Sequence, residues 1–203
     1  MNLYLIRHGE IDRIIEEDDY FYCLNEKGRK DMEDVGHFLR ENEYDKYAKR
    51  LILTSETLRT LESSVILSSI LETKIQMVPG CEEIRFGFNE GKERKDWVHI
   101  YRGEFTDRKG FTCQQKWETE HYQGESLKQV YERLNTLRDC ILSLDDHNLY
   151  VVGHGASLRM IDMKLNNYDV DWFYNEPNPE CGSVKKLVLT KDHKVISEKY
   201  IRE

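Results

Sequence analysis

The chain has few breakers. Only three prolines occur in its 203 residues, Pro79, Pro177 and Pro179, and each falls where a loop is expected. No repeat and no low-complexity stretch is present, so linker-joined modules are excluded and one domain spanning 1–203 is the simplest reading. No apolar run is long enough to span a bilayer. No basic stretch followed by an apolar one opens the sequence, so no secretory signal is expected. The five cysteines, Cys23, Cys81, Cys113, Cys140 and Cys181, are far apart and form no C-x-x-C pair. That spacing suits neither a zinc site nor a disulfide framework, and it points to reduced thiols in a cytoplasmic protein. Positive charge is also in deficit. A net charge of -8 argues against a nucleic-acid partner and against adhesion to an anionic membrane. The composition leaves a homodimer open.

What is present is an alternation of strand and helix patterns. Strands are expected at 2–6, 51–54, 75–78 and 149–152, with a closing pair at 184–190 and 194–201. Helices are expected at 24–41, at 55–71 with Ser55 as N-cap, and at 156–165. The clearest helix is 126–144, where Leu127, Val130, Leu134, Leu137, Ile141 and Leu144 recur three and four apart. Such alternation predicts an α/β fold, a three-layer α/β/α sandwich with a mostly parallel central sheet. The stretch 85–123 departs from it. It is rich in charge and in large aromatics, Trp97, Tyr101 and Trp117 among them, and it reads either as a cap over the sheet edge or as helices that only cover core.

Chemistry concentrates at strand ends. The first strand runs straight into Arg7-His8-Gly9-Glu10. In open α/β sheets, ligands bind at the carboxyl ends of the strands. Arginine binds phosphate through two parallel hydrogen bonds, and histidine serves as nucleophile or acid/base near neutral pH. The same logic returns at Val151-Val152-Gly153-His154-Gly155, where the helix start after His154 favours anions. Arg59 follows Ser55 by about one turn and can reach the same edge. Glu82 and Glu83 follow the third strand, where a carboxyl group can protonate a leaving oxygen. His37, His99, His121, His147 and His193 sit in no motif and read as surface residues.

The ordered set of Arg7-His8-Gly9-Glu10, Arg59 in its Ser-x-x-x-Arg-Thr setting, Glu83 before Phe86-Gly87, Gly124-Glu125-Ser126 and Gly153-His154-Gly155 resembles the histidine phosphatase superfamily, which includes the cofactor-dependent phosphoglycerate mutases. Leu24-Asn25-Glu26-Lys27-Gly28-Arg29 is similar to that family's entry into its first helix. The resemblance implies that His8 is the nucleophile, that Arg7, Arg59 and His154 line the phosphate pocket, and that Glu83 is the general acid, with Glu82 its rival. Gly9, Glu10 and Gly155 complete the expected phosphate and substrate contacts. A neutral His8 needs a partner for its other ring nitrogen, and a carbonyl near Gly9 is expected. Two arginines and a second histidine can neutralise a phosphoryl group, so no cofactor and no metal is expected. A metal held by His8, Glu10 and His154 is the weaker reading, since the arginines would repel it.

The loop after Glu10 departs from the mutases. It reads Ile11-Asp12-Arg13 and then the acidic run Glu16–Asp19, without their serine or threonine, their asparagine or their Gly-Trp pair. The expected activity is therefore hydrolysis of a small phosphate monoester through a phosphohistidine on His8. A phosphoglycerate-mutase-type transferase and a catalytically idle phospho-ligand scaffold are the alternatives.

Overall fold

Residue pairing across the strands sets the layers. The computed structural model describes residues 1–12, 21–87, 112–121 and 123–202. In chain order its elements are β1 (Asn2–Arg7), α1 (Glu26–Asn42), β2 (Lys49–Thr54), α2 (Leu58–Leu71), β3 (Lys74–Met77), α3 (Cys113–Glu118), α4 (Leu127–Arg133), α5 (Asn135–Ser143), β4 (His147–Gly153), α6 (Gly155–Asn166), α7 (Val170–Asn175), β5 (Val184–Leu189) and β6 (Val195–Arg202). The sheet runs β3-β2-β4-β1-β5-β6. β1 with β4, β4 with β2 and β2 with β3 are parallel, whereas β5 and β6 join antiparallel.

Successive strand side chains point to opposite faces. Leu3, Leu5, Leu149 and Val151 pack with Val130, Leu137, Ile141, Leu158 and Ile161 in one core. Tyr4, Ile6, Tyr150 and Val152 pack with Met32, Val35, Leu39, Leu67 and Leu71 in the other. Helices therefore cover both faces of a mostly parallel sheet, and the central strands read as nearly unbroken apolar runs because both their faces are buried.

Two local expectations change. The periodic stretch 126–144 is not one rod: α4 ends at Arg133 and α5 begins at Asn135, with Leu134 at φ -68 and ψ -2. The apolar face survives the break, and Val130, Leu134, Leu137 and Ile141 are all buried. The cap of α2 is Thr57 rather than Ser55. Ser55 is instead fully buried, and its Oγ lies 2.7 Å from Thr60 Oγ1 and 2.9 Å from His154 Nε2.

The expected cap is only partly visible. Residues 88–111 and 122, with Trp97 and Tyr101, lie outside the described residues. Within the rest, Trp117 is core, packed edge-on against Tyr131 and Phe173.

Candidate active site

Parallel pairing aligns Arg7 of β1 with Gly153 of β4. His8 and His154 are the next residues on each strand, so the ladder itself makes them neighbours. Their rings lie 5.3 Å apart at an interplanar angle of 63°. The His8 N–H donates to the Gly153 carbonyl at 3.1 Å, extending the ladder by one bond. His8 Nδ1 is 2.7 Å from the Gly9 carbonyl. A carbonyl can only accept, so Nδ1 carries the proton and the lone pair sits on Nε2. This is the partner expected for a nucleophilic histidine.

The loop behind His8 needs glycine. A Cβ on Gly9 would lie 2.4 Å from the Gly28 carbonyl oxygen, and one on Gly28 would lie 2.1 Å from that of Glu10. The two glycines let the loop press directly on the first turn of α1. Asn25 caps that turn, its side chain accepting from the Gly28 N–H at 2.7 Å. The Gly9 N–H donates to Ser63 Oγ at 3.2 Å, and that hydroxyl donates to the Arg59 carbonyl at 2.7 Å. One side chain thus ties the His8 loop to the turn of α2 that carries Arg59, which is buried.

His154 has no exposure. Burial pushes its pKa well below the usual histidine range, and the charges of Arg59, His8 and Arg7 push the same way, which makes it a neutral imidazole at neutral pH. Arg7 Nη1 donates to the Pro179 carbonyl at 2.5 Å. Two buried nitrogens, Arg7 Nε and His154 Nδ1, have no hydrogen-bond partner among the described residues. Buried polar atoms are ordinarily satisfied, so two orphans beside one histidine pair mark a place for a polar ligand.

The carboxylates separate cleanly. Glu83 Oε2 accepts from the Ala156 N–H at 3.2 Å, in the first turn of α6, immediately beyond His154. The helix start expected to favour an anion is thus occupied by the protein's own carboxyl group. Glu82 turns instead to Arg133, 3.6 Å away. Glu10 pairs with Lys27 at 2.5 Å and accepts from Asn25 Nδ2 at 3.2 Å. Those bonds hold its carboxyl below the usual range. Among the described residues, no three His, Cys, Asp or Glu side chains could hold a metal.

Two residues near the site, Asn178 and Arg133, escape the sequence reading. Asn178 packs its carboxamide on Gly155, where an added Cβ would meet its Oδ1 at 2.3 Å. Arg133 and Glu125 form a clasp. Glu125 accepts from Arg133 Nε at 2.9 Å and from Nη2 at 3.1 Å. The same guanidinium donates to the carbonyls of Gly80, Glu82 and Glu83 at 2.5, 3.0 and 2.9 Å. Glu125 stood in the Gly-Glu-Ser motif, but nothing local revealed its partner. His121, expected at the surface, is buried against Phe86, and burial lowers its pKa to about 4.

The carboxyl ends of two parallel strands thus bring together Arg7, His8 and His154, with Arg59 on the helix that follows β2. The family model of the histidine phosphatase superfamily (branch 1) matches residues 3–201, and the chain belongs to that superfamily. No curated protein matches it. Solved structures share its fold. An Escherichia coli putative alpha-ribazole-5'-P phosphatase superposes with TM-score 0.79 at 16% identity, covering 100% of this chain and 96% of its own. A mycobacterial glucosyl-3-phosphoglycerate phosphatase with inorganic phosphate gives 0.78 at 17% identity, covering 98% and 94%. Bacillus stearothermophilus YhfR gives 0.77 at 23% identity, covering 100% and 96%.

Proposed function

We propose that the chain hydrolyses a small phosphate monoester through a phosphohistidine on His8. The observation that carries this reading is the His8–His154 pair with the orphaned Arg7 Nε and His154 Nδ1 beside it. Phosphoryl oxygens accept hydrogen bonds and a monobasic phosphoryl group can also donate one, so a single ligand satisfies both Arg7 Nε and His154 Nδ1. Arg7 and Arg59 balance its charge. A mycobacterial phosphatase of the same fold with inorganic phosphate supports the same choice of ligand.

In the first step the Nε2 lone pair of His8 attacks phosphorus as the ester P–O bond breaks. The protonated Glu83 carboxyl gives its proton to the departing alkoxide, so the alcohol leaves neutral. In the second step the Glu83 carboxylate takes a proton from water and the water oxygen attacks phosphorus. The P–N bond breaks, which returns the lone pair to His8 and releases inorganic phosphate. Positioning and charge neutralisation carry most of such a transfer. The Nδ1–H bond to the Gly9 carbonyl holds the attacking tautomer and stabilises the cationic ring formed on phosphorylation. Glu83, held beside His154, suits the proton transfer better than Glu82, which is paired with Arg133.

A cytoplasmic, metal-independent enzyme acting on a small substrate fits this reading. The test is rapid quenching of the Glu83→Gln variant with p-nitrophenyl phosphate. The expected product is an acid-labile, base-stable phosphoenzyme on His8. Phosphate trapped on a serine or cysteine overturns the mechanism. Phosphate release only in the presence of a bisphosphate primer favours the mutase-type alternative, and binding without turnover favours the scaffold.

A further inference from the structure

Glu83 lies on the loop that follows β3, and among the described residues no ladder holds it. Two bonds fix its own carboxylate, one from Ala156 N–H and one from the Ile84 N–H at 3.1 Å. Among the described residues, one side chain holds the backbone of 80–83 through its carbonyls. Arg133 spends three hydrogen bonds on the carbonyls of Gly80, Glu82 and Glu83, and two on Glu125. Glu125 is buried, and it takes two further bonds from the far end of the same loop. The Arg85 backbone N–H donates to its Oε2 at 3.0 Å, and Arg85 Nη2 donates to its Oε1 at 3.1 Å. The Glu125 N–H returns a bond to the Arg85 carbonyl at 2.9 Å. Guanidinium and carboxylate thus grip the loop on both sides of Glu83. Arginine is suited to this because its donors lie in one rigid plane.

We infer that Arg133 and Glu125 act together as a positioning clasp that holds the Glu83 carboxyl at the leaving-group side of the phosphoryl site. The inference rests on the proton-transfer role proposed above for Glu83. Neither residue touches substrate in this scheme. Both act through Glu83, and a clasp that works only through the acid makes a specific kinetic demand. Its loss must hurt esters whose leaving group needs a proton and spare those whose leaving group does not.

The experiment compares kcat/KM for an alkyl phosphate and for p-nitrophenyl phosphate in Arg133→Lys, Glu125→Gln, Glu83→Gln and the double variant Glu83→Gln with Arg133→Lys. Arg133→Lys keeps a cation against Glu125 while removing the planar set of donors, and Glu125→Gln tests the other half of the clasp. General acid catalysis is worth roughly a hundred- to ten-thousand-fold, so a displaced acid should cost the alkyl ester on the order of tenfold or more. The loss on the nitrophenyl ester should stay within about threefold in both single variants, because the acid contributes little there. On the alkyl ester the double variant should be no slower than Glu83→Gln alone, since residues acting through one group are non-additive. Equal losses on both esters, or losses that multiply in the double variant, overturn the clasp and leave the acid in place. If Glu83→Gln itself shows no leaving-group dependence, the assignment of the acid fails and the clasp fails with it.

Discussion

Replacing His8 by alanine removes the atom that would carry the phosphoryl group but leaves Arg7, Arg59 and His154. Turnover of p-nitrophenyl phosphate should fall by roughly a thousandfold or more, as when a nucleophile is removed elsewhere. Inorganic phosphate should still bind, which calorimetry of the variant would show; near-normal turnover would remove His8 from the mechanism. In the proposed mechanism the two arginines would supply the charge that a metal supplies in other phosphoryl-transfer sites. Activity should therefore survive a strong chelator, and loss restored by a divalent ion would move the site to another class. The histidines and Arg7 were legible in the sequence because they end apolar strands. Arg133 and Asn178 were not, because each owes its place to chain folded in from far away: Arg133 lies 50 positions from Glu83.

Elements fix what side chains alone do not. The pair Gly9 and Gly28 joins the loop after β1 to the start of α1, with no room for a Cβ on either. Gly28→Ala should lower stability by about 1–3 kcal/mol, the cost of overpacking, and should lower turnover as well because the backbone bearing His8 must shift. Ile141→Ala, buried on α5 far along the chain from the site, should cost more stability, about 2–5 kcal/mol, yet leave kcat almost unchanged. Urea unfolding and steady-state kinetics on the two variants would separate a fold defect from a site defect. Sequence patterning found the strands and five of the seven helices among the described residues, and it missed the short α3 and α7. It overran the break at Leu134, since the apolar spacing continues through it. It also took Ser55 for a helix cap, because one of its true partners, His154, lies just past β4, far along the chain.

Across the whole molecule, buried titrating groups set the acid limit. The His121 pKa falls from 6.5 to about 4 on burial. The unfolded chain therefore takes up a proton below about pH 6.5 that the folded chain refuses, and stability is lost as pH falls through that window. The full loss is roughly 3 kcal/mol by linkage. Glu125 acts in the same direction. Burial opposes its charge, but the bonds from Arg133 and Arg85 outweigh that and hold its pKa below the usual range, so its contribution is lost lower still. Asp162, raised to about 6 chiefly by burial, works the other way and regains stability as it takes a proton. The pH dependence of the unfolding free energy should thus be flatter in His121→Gln than in the parent between pH 6.5 and 4; identical slopes would show that His121 is not excluded from protonation. The sheet order has a further consequence. β4 lies between β2 and β1, and β1 between β4 and β5, so each is laddered on both sides. The two histidines are thus anchored in the part of the fold that opens last, whereas Glu83 is anchored by side chains in a loop. Amide exchange should reach Ile84 well before Leu5 and Val151. In rising denaturant the enzyme should accordingly fail in two stages, with discrimination among leaving groups going first and phosphoryl transfer itself persisting until the sheet gives way.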